Sequence, residues 1–129
     1  MSINELTSAI IGAAIKVHRV LGPGLLESAY RACLAYELKQ LGLDVRTEHP
    51  IPVVYEGVHL DCGFRADLLV AQQVIVECKA KEKLHPVDKA QVLSHLRLLR
   101  LSVGLLINFH DIVLKDGIQR IVNKYQEEG

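Results

Sequence analysis

Two apolar runs, VIVEC at Val74–Cys78 and VGLLINF at Val103–Phe109, flank a helical stretch, and this arrangement restricts the fold more than any other feature. KEKLHP leads from the first run into a segment, roughly Val87 to Arg100, in which Leu93, Leu96 and Leu99 make an apolar side. A strand, a helix and a strand of these lengths form a βαβ crossover. The two runs therefore lie parallel in one sheet, joined by a right-handed connection.

The rest of the chain arranges itself around that unit. Ser2 and Glu5 form a capping-box pattern ahead of Leu6, Ile10, Ala13 and Val17, which predicts a helix from about Asn4 to Val20. LGPG, Leu21 to Gly24, breaks it. A second helix starts near Leu25 or Leu26, buries Leu34, Leu38 and Leu41, and ends at Gly42. From Leu43 the period changes to two: Ile51, Val53 and Tyr55 alternate, Glu56-Gly57 is a turn, and a strand resumes near Val58. Gly63 within that long strand implies a bulge or bend. The tail from Asp116 to Tyr125 reads as a short final helix. The expectation is a single α/β domain over residues 1–129 with a mixed sheet.

Half of the 129 residues are apolar, Trp is absent and aromatics make up 5%, so the core is aliphatic. Lys plus Arg equals Asp plus Glu at 15 each. That balance leaves no electrostatic footprint for non-specific nucleic-acid binding, and any anionic ligand must be met by a local patch. Cys33, Cys62 and Cys78 form no CxxC pair and point to a reducing compartment. The N-terminus lacks a signal-peptide pattern, and no apolar stretch reaches the roughly 18 residues a membrane span needs. A cytoplasmic protein without a membrane association is expected.

Against this background GFRADLLVAQQVIVECKA, Gly63 to Ala80, is unusual, because its apolar hairpin carries Asp67, Glu77 and Lys79. Desolvating an unpaired ion costs several kcal/mol or more. Alternation along the second strand puts Glu77 and Lys79 on one face with Ile75. Asp67 joins them if the loop has three residues, Ala71 to Gln73, and turns away if it has two, Gln72-Gln73. No Asn-Gly or Asp-Gly, and no loop Gly, decides between the two. Two facing carboxylates repel unless a cation sits between them. With a lysine alongside, they form the arrangement that metal-assisted phosphodiester hydrolysis requires. A lysine–carboxylate pair on a solvated sheet face accounts for the spacing equally well.

Asp67 followed by Glu77-Cys78-Lys79 on the next strand resembles the core of the PD-(D/E)XK nuclease superfamily. GLLESAY, Gly24 to Tyr30, resembles the motif of its GxxExxY proteins. The likeness runs through HRVLGPGLLESAY, GFRADLLV, VIVECKA, the Ala90-Gln91 of DKAQVLSHL, GLLINF and DGIQRIV. It implies a restriction-endonuclease-like core of α-β-β-β-α-β order with an extra N-terminal helix. It also implies a nuclease that uses Mg²⁺ or Mn²⁺. By position, Asp67 and Glu77 would ligate the metal, with the backbone carbonyl of Cys78 and the helix-borne Glu27 as further ligands. Lys79 would orient or deprotonate the attacking water or neutralise the phosphate, and Gln91 would hydrogen-bond substrate or carboxylates. His95 stands where a tyrosine is usual, and Asp88 where a histidine is common.

Other residues admit two readings each. Tyr30 shares a helix face with Glu27 and is either a buried ring with a bonded hydroxyl or a substrate contact. His18 either approaches the site from the first helix or is a partly buried structural histidine. His95, four residues after Gln91, lies on the same face, as a solvated residue or a substrate contact. The implied partner is nucleic acid, DNA ahead of RNA, with a homodimer or a partner protein supplying substrate binding that this chain lacks. A non-catalytic binding or assembly module, or a metal-dependent phosphohydrolase of small nucleotides, stands as the alternative.

Overall fold

Helix α1 (Ile3–Leu21) starts at the expected capping box. Ser2 Oγ accepts the Glu5 N–H at 3.1 Å, and Glu5 Oε1 accepts the Ser2 N–H at 3.0 Å. Gly22, at φ 69°, ends the helix by donating its N–H to the His18 carbonyl. The structure is a computed structural model that describes residues 1–124. Helix α2 (Glu27–Gln40) buries Tyr30, Leu34, Ala35 and Leu38 in the same cluster as Leu6, Ile10, Ala14 and Val17 of α1.

The strands are β1 (Val45–Pro50), β2 (Val53–Tyr55), β3 (Val58–Leu60), β4 (Arg65–Val70), β5 (Val74–Lys79), β6 (Val103–Asn108) and β7 (Ile118–Val122). Five of them form one sheet in the order β1-β4-β5-β6-β7, while β2 and β3 make a separate ribbon. Helix α3 (Pro86–Leu99) links β5 to β6, which run parallel with Val74 opposite Val103 and Lys79 opposite Asn108. The predicted βαβ crossover is therefore present, inside a mixed α/β fold.

Two apolar clusters sandwich the sheet. Leu68, Val70, Val74, Val76, Cys78, Leu105 and Ile107 face α1 and α2. Ile75, Leu106 and Ile121 face Val92 and Leu96 of α3. Gly104 permits the close approach of α3, since a Cβ there would sit 2.9 Å from Val92 Cγ1.

Three expectations need correction, the first being Leu41, which lies exposed at the end of α2 and outside its buried stripe. The predicted helix from Asp116 to Tyr125 is instead a 3-10 turn, Leu114–Gly117, followed by β7; Tyr125 lies outside the described residues. Ile118 and Ile121 have helical spacing, but the open edge of β6 pairs with this segment from Ile107↔Ile118 to Val103↔Val122. Gly117 fixes the corner, because a Cβ would lie 2.5 Å from the Asn108 carbonyl oxygen. The long strand expected to contain Gly63 is also broken. Its N-terminal part is β3, which pairs with β2 in the separate ribbon, and Gly63 sits in the link between β3 and β4 at φ 78°. No helix among the described residues is long and apolar enough to cross a membrane.

Candidate active site

The hairpin between β4 and β5 sets the site. Its loop has three residues: Ala71 and Gln72 take φ 51° and 55°, and the Gln73 N–H donates to the Val70 carbonyl at 3.0 Å. Two non-glycine residues at positive φ make a primed-type turn without the usual glycine. The resulting register pairs Val70 with Val74, Leu69 with Ile75 and Leu68 with Val76. One step further, Asp67 stands opposite Glu77.

There the backbone ladder stops and side chains replace it. Asp67 Oδ2 accepts the Cys78 N–H at 2.9 Å, and Glu77 Oε1 accepts the Asp67 N–H at 3.2 Å. The disruption continues on the other edge of β4. Thr47 pairs with Leu68 and His49 with Ala66, but Glu48, at φ 48°, is left out of the ladder beside Asp67. Left-handed backbone at a non-glycine residue is uncommon and costs of order 1 kcal/mol or more. The strand also loses its alternation at this point, since Ala66 packs in the α3 cluster and Leu68 in the α1–α2 cluster. The Asp67 carboxylate thereby enters the gap between β4 and β5, within reach of both helical layers.

The charges around that gap are unevenly compensated. Glu77 has only 7% of its side chain exposed, and its pKa is pushed up to about 7, first by burial and then by the negative charge of Asp67. Asp67 Oδ1 lies 3.5 Å from Arg31 Nη1, while Arg31 Nη2 lies 3.2 Å from Glu48 Oε1. Lys79 is half-buried, and its ammonium has no hydrogen-bond or ion-pair partner among the described residues. Its charge nevertheless favours ionised Glu77. Lys79 is thus a free cation beside a carboxylate pair. Cys78 turns its thiol into the core, where burial, then the charges of Asp67 and Glu77, raise its pKa well above the ordinary range. Only the Cys78 backbone belongs to the site.

The other predicted residues distribute around it unequally. Glu27 opens α2 as an exposed residue, and its charge reaches the Cys78 thiol. His95 is buried on α3 with Nδ1 4.0 Å from Glu77 Oε1 and no hydrogen-bond partner there. Burial holds its pKa below the ordinary value, so the ring is neutral near pH 7. Gln91, one turn earlier, is exposed. Tyr30 is fully buried: its hydroxyl donates to the Gly22 carbonyl at 2.6 Å, accepts the Leu25 N–H at 3.1 Å, and its ring stacks on Phe109. His18 is buried near Phe109 with Nε2 unpartnered. Neither Tyr30 nor His18 makes a polar contact with the carboxylate pair, and both take the structural reading.

Arg31 and Asn108 escaped the sequence reading, and Asp88 entered it only as a departure from the usual histidine. Arg31 was signalled only by standing four residues after Glu27 on one helix face. Asn108, a polar residue ending an apolar strand, clamps Lys81 by accepting its N–H at 3.1 Å and donating to its carbonyl at 2.8 Å. Asp88 is buried and holds Lys81 Nζ at 2.8 and 2.9 Å and the His85 N–H at 2.7 Å. Burial raises the Asp88 pKa, but Lys81 and the His85 N–H outweigh it and leave the carboxyl below its ordinary value. Lys81 is therefore committed to Asp88.

Among the described residues no three His, Cys, Asp or Glu side chains converge on a common point. The donors that the structure brings to the gap are the carboxylates of Asp67 and Glu77. This hard-oxygen set fits Mg²⁺ or Mn²⁺, which bind through one or two carboxylates and complete their shells with water and phosphate. The raised pKa of Glu77 agrees with that fit, because burial first and then the charge of Asp67 disfavour its ionised form, and a bound cation would offset both.

Searches of curated proteins and of solved structures found no match. A family model described as the PD-(D/E)XK nuclease superfamily matches residues 4–121. With the mixed sheet, the facing Asp67 and Glu77 and the lysine two residues on, this match leaves one conclusion: the chain belongs to the PD-(D/E)XK nuclease superfamily.

Proposed function

We propose that the protein is a divalent-metal-dependent hydrolase of nucleic-acid phosphodiester bonds. The observation that carries this reading is the register of the β4–β5 hairpin, which sets Asp67 opposite Glu77 with the unpaired Lys79 alongside. Asp67, Glu77 and the Cys78 carbonyl would hold Mg²⁺ or Mn²⁺, with Glu27 directly or through water. The metal supplies Lewis-acid stabilisation of the phosphoryl oxygen and a bound water of lowered pKa. Lys79 orients the attacking water or offsets charge on the phosphate. Gln91 lies on the exposed side of α3, available to substrate. DNA is favoured over RNA as the substrate. Because the chain is neutral, a second copy or a partner protein supplies much of the substrate binding.

The test is cleavage of single- and double-stranded DNA and RNA with Mg²⁺ or Mn²⁺, comparing wild type with Lys79→Ala. Metal-dependent cleavage that falls at least ~100-fold in the variant supports the proposal. Equal activity in both proteins, or none in either on all four substrates, replaces it with a binding module.

A further inference from the structure

Among the described residues Arg31 is the one arginine or lysine in ion-pair contact with the carboxylate pair, and its position is peculiar. The Cys78 N–H occupies Asp67 Oδ2, so Oδ1 is the oxygen left for another partner. Arg31 Nη1 lies 3.5 Å from that Oδ1. The other arm of the same guanidinium lies 3.2 Å from Glu48 Oε1. Glu48 is the residue that β1 expels from its ladder beside Asp67, in left-handed backbone. Two carboxylates from neighbouring strands thus flank one guanidinium as ion pairs, each at a different nitrogen, a span that a single ammonium does not offer.

We propose that Arg31 is a built-in competitor for the metal: its guanidinium lies against the free oxygen of Asp67, and a divalent cation would have to displace it. Glu48 is its receiver, retaining the guanidinium after it leaves Asp67. Arg31 is a positioning residue in this scheme, acting through Asp67. Its side chain is 27% exposed, so the exchange needs a rotamer change and no opening of the core. The strained backbone of Glu48 has a role here, because it aims a carboxylate at the guanidinium where a regular strand would pair with β4. The inference rests on the proposed metal site and adds what governs its occupancy.

The experiment is Mn²⁺ binding, followed by the loss of the free-ion electron paramagnetic resonance signal. It compares wild type, Arg31→Met, Arg31→Lys, Glu48→Gln and Asp67→Asn. Displacement predicts that Arg31→Met tightens Mn²⁺ binding by about tenfold, a difference of ~1.4 kcal/mol. Arg31→Lys should tighten it nearly as much, because an ammonium keeps the charge but loses the span. Glu48→Gln should weaken binding several-fold by leaving Arg31 with Asp67 alone. A bystander positive charge would give Arg31→Lys the wild-type affinity, and that result overturns the inference. Unchanged affinity in Arg31→Met overturns it as well. Wild-type binding that Asp67→Asn abolishes keeps the metal site itself standing in either case. No Mn²⁺ binding by any of the five proteins overturns both readings.

Discussion

Replacing Glu77 with glutamine should make the metal-free protein more stable at neutral pH and leave it nearly unchanged in acid. The glutamine keeps an oxygen to accept the Asp67 N–H that Glu77 Oε1 now accepts. What it removes is a charge that the fold resists. The folded pKa of Glu77 is raised from 4.5 to about 7, by burial and by Asp67. At about 1.4 kcal/mol per pH unit this corresponds to about 3 kcal/mol, shared with the coupled Asp67 proton. The sign follows from proton uptake. Between pH 4.5 and 7 the folded state holds a proton that the unfolded state has lost, so wild-type stability falls as pH rises through that window and levels off above it. Glu77→Gln carries no such loss. Urea denaturation in EDTA, read by far-UV circular dichroism because the chain has no Trp, should give equal stabilities near pH 4. Near pH 8 the variant should lead by about 3 kcal/mol, or roughly 10 °C in melting temperature for a domain of this size. A stability difference that does not change between pH 4 and 8 would refute the charge argument, and a less stable variant at pH 8 would reverse it.

Three further perturbations probe the frame around the site. Tyr30→Phe removes the hydroxyl that joins Gly22 to Leu25 while keeping the stack on Phe109, and should cost about 1–2 kcal/mol in denaturant titrations. Gly104→Ala places a methyl 2.9 Å from Val92 Cγ1, pushing α3 off β6. It should cost about 1–3 kcal/mol and lower activity through the shifted Gln91 and His95. Asp88→Asn weakens the hold on Lys81 and should cost about 1–2 kcal/mol at pH 7. The folded Asp88 pKa lies below 3.8, so this wild-type advantage is present above that value and disappears as pH falls below it, which parallel melts at pH 7 and 3 would reveal.

The parts of this molecule that could be read in the sequence are those whose neighbours are dictated by apolar continuity. Val74–Cys78 and Val103–Phe109 admit few places other than the middle of a sheet, and the parallel pair followed from the helix between them. Ile118 and Ile121 misled because spacing by three suits a helix, whereas the vacant edge of β6 decided for a strand. The loop from Ala71 to Gln73 was undecided because its residues contain no glycine, and only the packed sheet makes two left-handed non-glycine residues affordable. Arg31 was hidden for a related reason. Its partners come from β1 and β4, and one of them reaches it only through a backbone distortion that no pattern of hydrophobicity records.

The three-residue turn has a last consequence. It acts as a gear tooth between two strands, and its count determines which carboxylate meets which. Deleting or inserting one residue within Ala71–Gln73 changes the parity of the hairpin, so Asp67 would mesh with a neighbour of Glu77 and not with Glu77 itself. Such a protein would keep every residue of the proposed chemistry and lose the chemistry. Its Mn²⁺ binding, set against that of a variant with Gln72 replaced by glycine at constant length, would separate the identity of the turn from its arithmetic.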